Sequence, residues 1–422
     1  MLSPTNKLMK GSFLIVGLLL FSGSAYGDEL ADIKEQIQIL MERVEVLEQE
    51  KKDQQTAAVA IPKSDKAKNR EVKSGNTKVK LSVSGWMDRA VLMADDGNDS
   101  NGYFVDGTLP SRFRLTGRAS SADGWTIGSN MEWHYRSNAA FIIDQYDQDN
   151  GTSDGSFKER VLEVFFNNPK WGKLSLGQGP TASNGIAERD LSGTFVAAYS
   201  DTRFLAGGMR FRRADGSLAD SDTTNPRVRH SLSNMDGMSL RDRVRYDSPS
   251  LAGFKISLGA VQGDVYDTAL TYSGDMGAFK VTAAAGASSA AINYLDGKTK
   301  DFTQYAGSVS VLFDNGLNMT LAGGTQEAQN SGRNNPGFYY AKLGYKADLF
   351  QKGKTNLSVD YHSTDDLMQN GDAGDSYGFQ AVQNMDDWGS ELYLSLRKYQ
   401  YSQTGVEFDD ITGTLVGARV KF

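Results

Sequence analysis

From residue 78 to residue 422 the sequence keeps returning to one pattern, a run of about ten residues in which apolar and polar side chains alternate. Side chains alternate faces along a strand, so a period of two gives each strand one greasy and one polar side. Val79, Leu81, Val83 and Gly85 oppose Lys80, Ser82 and Ser84. Phe113, Leu115 and Gly117 oppose Arg112, Arg114, Thr116 and Arg118. Phe254, Ile256, Leu258 and Ala260 oppose Lys255 and Ser257. Leu357, Val359 and Tyr361 oppose Asn356, Ser358, Asp360 and His362, and Leu392, Leu394 and Leu396 oppose Tyr393, Ser395 and Arg397. A water-soluble sandwich also alternates, but not over so many strands with one face so polar. In hydrocarbon a sheet must close on itself, because lipid cannot solvate an open edge. The expected fold is all-β, a transmembrane antiparallel β-barrel of about sixteen strands. The strand centres fall near Val83, Leu115, Met131, Val164, Leu176, Val244, Leu258, Leu270, Val281, Val309, Leu321, Leu343, Val359, Phe379, Leu394 and Val416. Glycine, at 45 residues against 8 prolines, suits strands that must bend around a cylinder.

The connections alternate in length, as those of such a barrel do. Asp123-Gly124, Asn315-Gly316 and the Ser248-Pro249-Ser250 corner read as tight turns, expected on the periplasmic side. Asp95 to Pro110, Arg136 to Phe157 and above all Pro180 to Leu240 read as long polar connections. In the last strand Val416, Ala418, Val420 and Phe422 share a face, opposite Arg419 and Lys421. A terminal aromatic on an alternating strand looks like the assembly signal of outer-membrane proteins.

Ahead of the barrel, residues 1–27 read as a secretory signal. Lys7 and Lys10 are its basic region, Phe13 to Phe21 its short apolar core, and Ala25 and Gly27 the small residues of the cleavage site. Cleavage takes the formal charge from −7 to −9, which gives no bulk support to a nucleic-acid partner. The chain has no cysteine, which excludes disulfides, thiolate metal sites, cysteine nucleophiles and a lipidated N-terminus. In residues 28–52, Leu30, Ile33, Ile37, Leu40, Val44 and Leu47 follow heptad spacing, with Glu29 and Lys34, and Arg43 and Glu48, at facing flank positions. These residues read as a short α-helical coiled coil, expected in the periplasm. The alternative is one amphipathic helix docked on its own barrel. Residues 53–77, rich in Ala, Lys, Ser and Asn, read as a flexible basic linker.

Several segments resemble Gram-negative trimeric porins: Ser111-Arg112-Phe113-Arg114-Leu115-Thr116-Gly117, Trp171-Gly172-Lys173-Leu174-Ser175-Leu176-Gly177-Gln178, and Arg243-Val244-Arg245-Tyr246-Asp247-Ser248-Pro249 followed by Gly253-Phe254. A coiled coil ahead of such a barrel is similar to the DcaP-like porins, whose members are associated with uptake of small organic anions such as dicarboxylates. The resemblance implies a sixteen-stranded barrel, a homotrimer in contact with outer-membrane lipid and lipopolysaccharide, and a third extracellular loop folded into the lumen. One departure matters. The stretch after Gln178 lacks the Pro-Glu-Phe-Gly-Gly motif that general porins carry in that loop, so the constriction residues do not carry over by motif.

A channel sorts solutes by its width and by the charges lining its narrowest part. The natural constriction is the 180–240 loop, which offers Glu188, Asp190, Asp201, Arg203, Arg210, Arg212 and Arg213. Facing it are Arg112, Arg114 and Arg118 on the second strand and Arg241, Arg243 and Arg245 on the sixth, each set on one face. Arginines on polar strand faces suit carboxylate or phosphate recognition, so an anion preference is expected despite the negative total. The alternative is that these arginines pair with loop acids and only pin the loop. Asp95 to Gly102 and Asp147 to Gly155 are acidic but do not fit an EF-hand, because Gly151 and Lys158 fall where ligands belong. His134 and His362 fall on lumen faces. No phosphate-binding loop, dinucleotide fingerprint, metal cluster or Ser-His pair stands out, so neither an enzyme nor a cofactor is expected. The competing function is structural, with the coil and basic linker tethering the outer membrane to the cell wall or to a periplasmic partner.

Overall fold

The computed structural model describes residues 71–72, 75–149, 157–292, 299–300, 302–328 and 332–422. The signal, the heptads and nearly all of the linker lie outside the described residues.

Sixteen long strands run antiparallel from β1 (Lys80–Asp95) through β2 (Ser111–Ser120), β3 (Thr126–Tyr135), β4 (Phe157–Asn168), β5 (Gly172–Pro180), β6 (Leu240–Asp247), β7 (Phe254–Val261), β8 (Val265–Asp275), β9 (Phe279–Ser288), β10 (Phe302–Phe313), β11 (Leu317–Ala328), β12 (Gly337–Phe350), β13 (Gly353–Asp365), β14 (Ala373–Met385) and β15 (Ser390–Ser402) to β16 (Ile411–Lys421). Trp86 to Asp95 of β1 pair with Lys421 to Thr412 of β16, so the sheet closes into a barrel. Every expected strand centre falls in its own strand. The alternation behaves as anticipated: on β15, Leu392 and Leu396 are 49% and 42% exposed, while Tyr393, Ser395 and Arg397 are buried.

Two local departures were hidden by that alternation. The segment from Asp95 to Pro110 is not simply a loop. Ser100–Asp106 forms a strand that pairs with Asp95 to Arg89 of β1, while β2 pairs with Trp86 to Lys80. The second stave is therefore in two pieces, and the chain between them bends inward at Gly107. A Cβ there would lie 2.2 Å from both Asp88 Oδ1 and Tyr393 Oη, so only glycine fits the bend. The second departure is a bulge in β4. Glu132 pairs with Val161 and Trp133 with Glu159, which leaves Arg160 as an extra residue and reverses the faces beyond it.

Outside, Trp125, Trp171, Phe254, Phe313, Tyr345 and Trp388 are exposed near the short-turn end, and Tyr266, Tyr305, Tyr339 and Tyr377 near the long-loop end. Rings at these two levels match the aromatic girdles of membrane barrels, where an amphipathic ring sits at the headgroups.

Residues 181–239 fold into the barrel and pack on its inner wall through two dry clusters. In one, Val196, Leu205, Met209, Phe211, Val228 and Leu232 meet Leu92, Tyr399, Ile411 and Leu415. In the other, Ile186, Ala187 and Met235 meet Ala269, Ala284, Ala306, Ala322, Phe338 and Tyr340. The four alanines come from four successive strands, β8 to β11. Small inward residues there let the loop backbone approach, and Arg189 and Leu191 donate their N–H groups to Ser308 and Ser310 Oγ, each at 2.9 Å. Lys342, fully buried on β12, reaches Asp190 at 2.7 Å. Tyr399 Oη donates to Thr202 O at 2.7 Å. These contacts hold the loop against β8 to β16 and against Leu92 of β1, and leave open space beside Trp86 and β2 to β4.

Candidate functional site

That open space is a cavity of about 510 Å³. Its barrel side carries Trp86, Arg112, Arg160 and Arg419 from four strands, with Arg136 just beyond β3. Its loop side carries Glu188, Phe195, Tyr199, Asp201, Arg203, Phe204 and Asp236.

Strand register sets the barrel side. Trp86, Arg112, His134 and Lys158 are paired in sequence across β1 to β4, so all four point inward in one row. Arg112 lies 4.6 Å from the centre of the Trp86 ring, and Arg419 lies 5.5 Å from it. The nearest acid to Arg112 is Glu132 at 3.7 Å, too long for a hydrogen bond, and the buried Arg112 Nε has no partner. Glu132, only 2% exposed, also takes Arg114 and Arg160, the latter at 2.9 Å. Arg419 is bonded to Glu391 at 2.6 Å. Arg136 has no hydrogen bond or ion pair among the described residues; burial and the neighbouring Arg160 pull its pKa below the ordinary arginine value. Two guanidiniums, those of Arg112 and Arg136, thus face the cavity with their donors unspent.

The loop side opposes them with carboxylates. Asp201 is held by Arg203 in a two-pronged pair at 2.6 Å and 2.6 Å. Asp236 accepts the backbone N–H groups of Gly185 and Ala187 at 2.6 and 2.8 Å, and burial pushes its pKa up to about 6. Glu188 accepts from Asn234 Nδ2 at 3.2 Å. Its pKa is raised well above the ordinary value, by burial first and then by the nearby Asp236 and Asp201. Phe195, Tyr199, Phe204 and Phe141 stack in a column with ring centres 4.4, 6.0 and 4.9 Å apart, which stiffens this part of the loop.

Of the residues singled out from sequence, the structure brings Arg112, Arg203, Glu188 and Asp201 to this cavity. The others lie elsewhere. Arg114 donates to Glu132 through Nε at 2.7 Å, and Arg118 sits 6.0 Å from the Phe165 ring. Asp190 is in the buried pair with Lys342. Arg241 bonds the Leu240 carbonyl. Arg243, buried against Glu163, donates to the carbonyls of Pro180 and Gly177 at 2.9 and 2.7 Å, and Arg245 donates to that of Thr181 at 2.7 Å. Arg243 and Arg245 therefore grip the root of the loop. Farther out, Arg210 and Arg212 tie the loop to Asp144 and Asp96, and Arg213 donates to the Thr224 carbonyl within the loop at 3.3 Å.

Sequence reasoning did not select Trp86, Arg136, Arg160, Arg419 or Asp236. For Arg160 the parity of Leu162, Val164 and Phe166 pointed to the lipid face, and only the bulge turns it inward. Arg419 was on the polar face of the last strand, and that parity was a usable signal.

A family model described as Gram-negative porin matches residues 56–404. Among solved structures, an anion-selective porin from Comamonas acidovorans is 17% identical over 82% of this chain and 100% of its own, with a TM-score of 0.54. In-vitro folded OmpT of Vibrio cholerae is 14% identical over 84% of this chain and 100% of its own, at 0.53. The outer membrane channel DcaP of Acinetobacter baumannii is 12% identical over 83% of this chain and 99% of its own, at 0.51. A comparison with curated protein sequences finds no match.

Proposed function

The chain belongs to the Gram-negative porin family and forms an outer-membrane channel, and from that premise we propose that it passes small hydrophilic solutes by passive diffusion with a bias toward organic anions such as dicarboxylates. One observation carries the bias. Arg112 and Arg136 hold unspent donors in a cavity that Arg160, Arg203 and Arg419 also line. Low-dielectric walls concentrate the field of such charges, and a guanidinium suits a carboxylate in geometry as well as charge. The fold likeness to the anion-selective porin of Comamonas acidovorans points the same way. Reversal potentials across a planar bilayer in a potassium chloride gradient test the reading. Chloride preferred over potassium is expected, and potassium preferred over chloride overturns it.

We infer a homotrimer, with the wall around β1 at the contact between copies. Arg89 lies outward between Met87, Val91 and Met93 and is itself 46% exposed, paired with the buried Asp106. Glu159, Asp242 and Lys398 also face outward, but each lies within four residues of the long-loop end of its strand, whereas Arg89 lies deeper in β1. An arginine on the lipid face near the bilayer midplane costs roughly 2–4 kcal/mol. The tyrosines near the long-loop end run from β8 to β14 and do not continue onto β16 and β1, which also sets this wall apart from a lipid-facing one.

A further inference from the structure

Beside the arginine-lined cavity lies a smaller one of about 190 Å³, bordered by Ser84, Gly85, Trp86, Arg112, Arg114, Glu132, Arg419, Lys421 and Phe422. The two share Trp86, Arg112 and Arg419. Trp86 is fixed between those two guanidiniums, and its Nε1 donates to the Pro110 carbonyl at 3.1 Å. It forms a divider whose two cationic edges belong to both spaces.

Arg112, Arg114, Arg419 and Lys421 bring four positive charges to the smaller cavity. Glu132 and Glu391 offset two of them, Glu391 holding both Arg419 and Lys421. The Phe422 carbonyl accepts the Gly85 N–H at 2.9 Å. A net positive charge remains, together with the unspent donors of Arg112 and the hydroxyl of Ser84. That balance suits one carboxylate group and disfavours a cation.

We propose that this smaller cavity is a second anion subsite, which takes a carboxylate from the main cavity along Arg112 and Arg419. It rests on the anion reading of the main cavity and adds a separate binding step to it. A short dicarboxylate can place one end on each side of Trp86, whereas a monocarboxylate occupies the stations in turn. The subsite therefore distinguishes the two by affinity and not only by charge.

The test uses full-length trimers in planar bilayers, with current measured against the concentration of potassium succinate and, separately, potassium acetate. Arg114→Gln removes a group that borders only the smaller cavity, and it leaves Glu132 with Arg112 and Arg160. Ser84→Asp adds a carboxylate to the same place without removing a cation. Each is expected to raise the half-saturating succinate concentration by about threefold, the effect of a partly exposed charge contact, and to move acetate less. The chloride-over-potassium preference in potassium chloride should stay within the wild-type range. Unchanged succinate saturation in both variants would overturn the proposal while leaving the anion reading intact. So would a loss of chloride preference in proportion to the loss of succinate affinity, because the smaller cavity would then be part of the main constriction. A wild-type channel with no anion preference would remove the anion reading, and the subsite with it.

Discussion

The two sides of the constriction are built differently. The barrel side takes its arginines from neighbouring strands, where backbone register places them and the buried Glu132 anchors Arg160 beside Arg112. The loop side takes its carboxylates from one excursion of the chain, seated by side-chain ties and two apolar clusters and not by strand pairing. Strand register is cooperative and costly to disturb, whereas a loop's position rests on individual contacts. The cationic side should therefore keep its shape under perturbation, and the acidic side should be where width and pH response are set.

The largest expected effect comes from cutting the strongest of those ties. Lys342→Ala leaves Asp190 buried and unpaired, a loss of about 3–5 kcal/mol for a buried pair broken on one side. Unitary conductance should become larger or noisy as the loop leaves the wall, and thermal melting in detergent should fall. Lys342→Met combined with Asp190→Leu should recover most of the melting temperature. Conductance and stability that do not change with Lys342→Ala would remove the asymmetry between the two sides.

Charge removal on the barrel side should act on selectivity with little effect on stability. Arg136→Gln, at a residue with no ion pair among the described residues, is expected to lower the chloride-over-potassium permeability ratio about two- to fivefold. The melting curve should be unaltered. An equal ratio in variant and wild type would mean that Arg136 does not face the solute path.

Acidity should act through the loop side. Asp236 and Glu188 both have raised pKa values, so they take up protons at a higher pH than ordinary carboxylates do. Below a pH of about 6 Asp236 becomes neutral, the constriction gains positive character, and chloride preference should rise as pH falls. Asp236→Asn should show the higher preference already at pH 8 and a flatter profile. A reversal potential that is flat from pH 8 to pH 5 in the wild type would place these acids away from the path.

The smallest effect is expected at the outer wall. Arg89→Leu with Asp106→Leu removes a charged pair in favour of greasy side chains, so the barrel itself should fold as before. Trimers should dissociate a few degrees earlier in a heated gel if that wall is the contact. Unchanged dissociation with unchanged barrel melting would move the contact elsewhere.

The alternation of side chains was enough to place all sixteen strands, the inward faces of Arg112 and His134, and the alternation of short and long connections. That legibility has a simple cause. One face of each strand meets hydrocarbon and the other meets water, so each residue records its own environment. It ends where the period slips. The Arg160 bulge and the split stave at Asp106 each change which face a residue takes, and no count of alternating residues reveals a slip of one. Nor did spacing distinguish Arg203, which reaches the cavity, from Arg243 and Arg245, which bind the carbonyls at the loop's root. That choice depends on how residues 181–239 fold back against the wall, a matter of contacts between positions more than a hundred residues apart, such as Asp190 with Lys342. Local chemistry made the cylinder legible, and only the long-range packing of one loop inside it decided which charges face the solute.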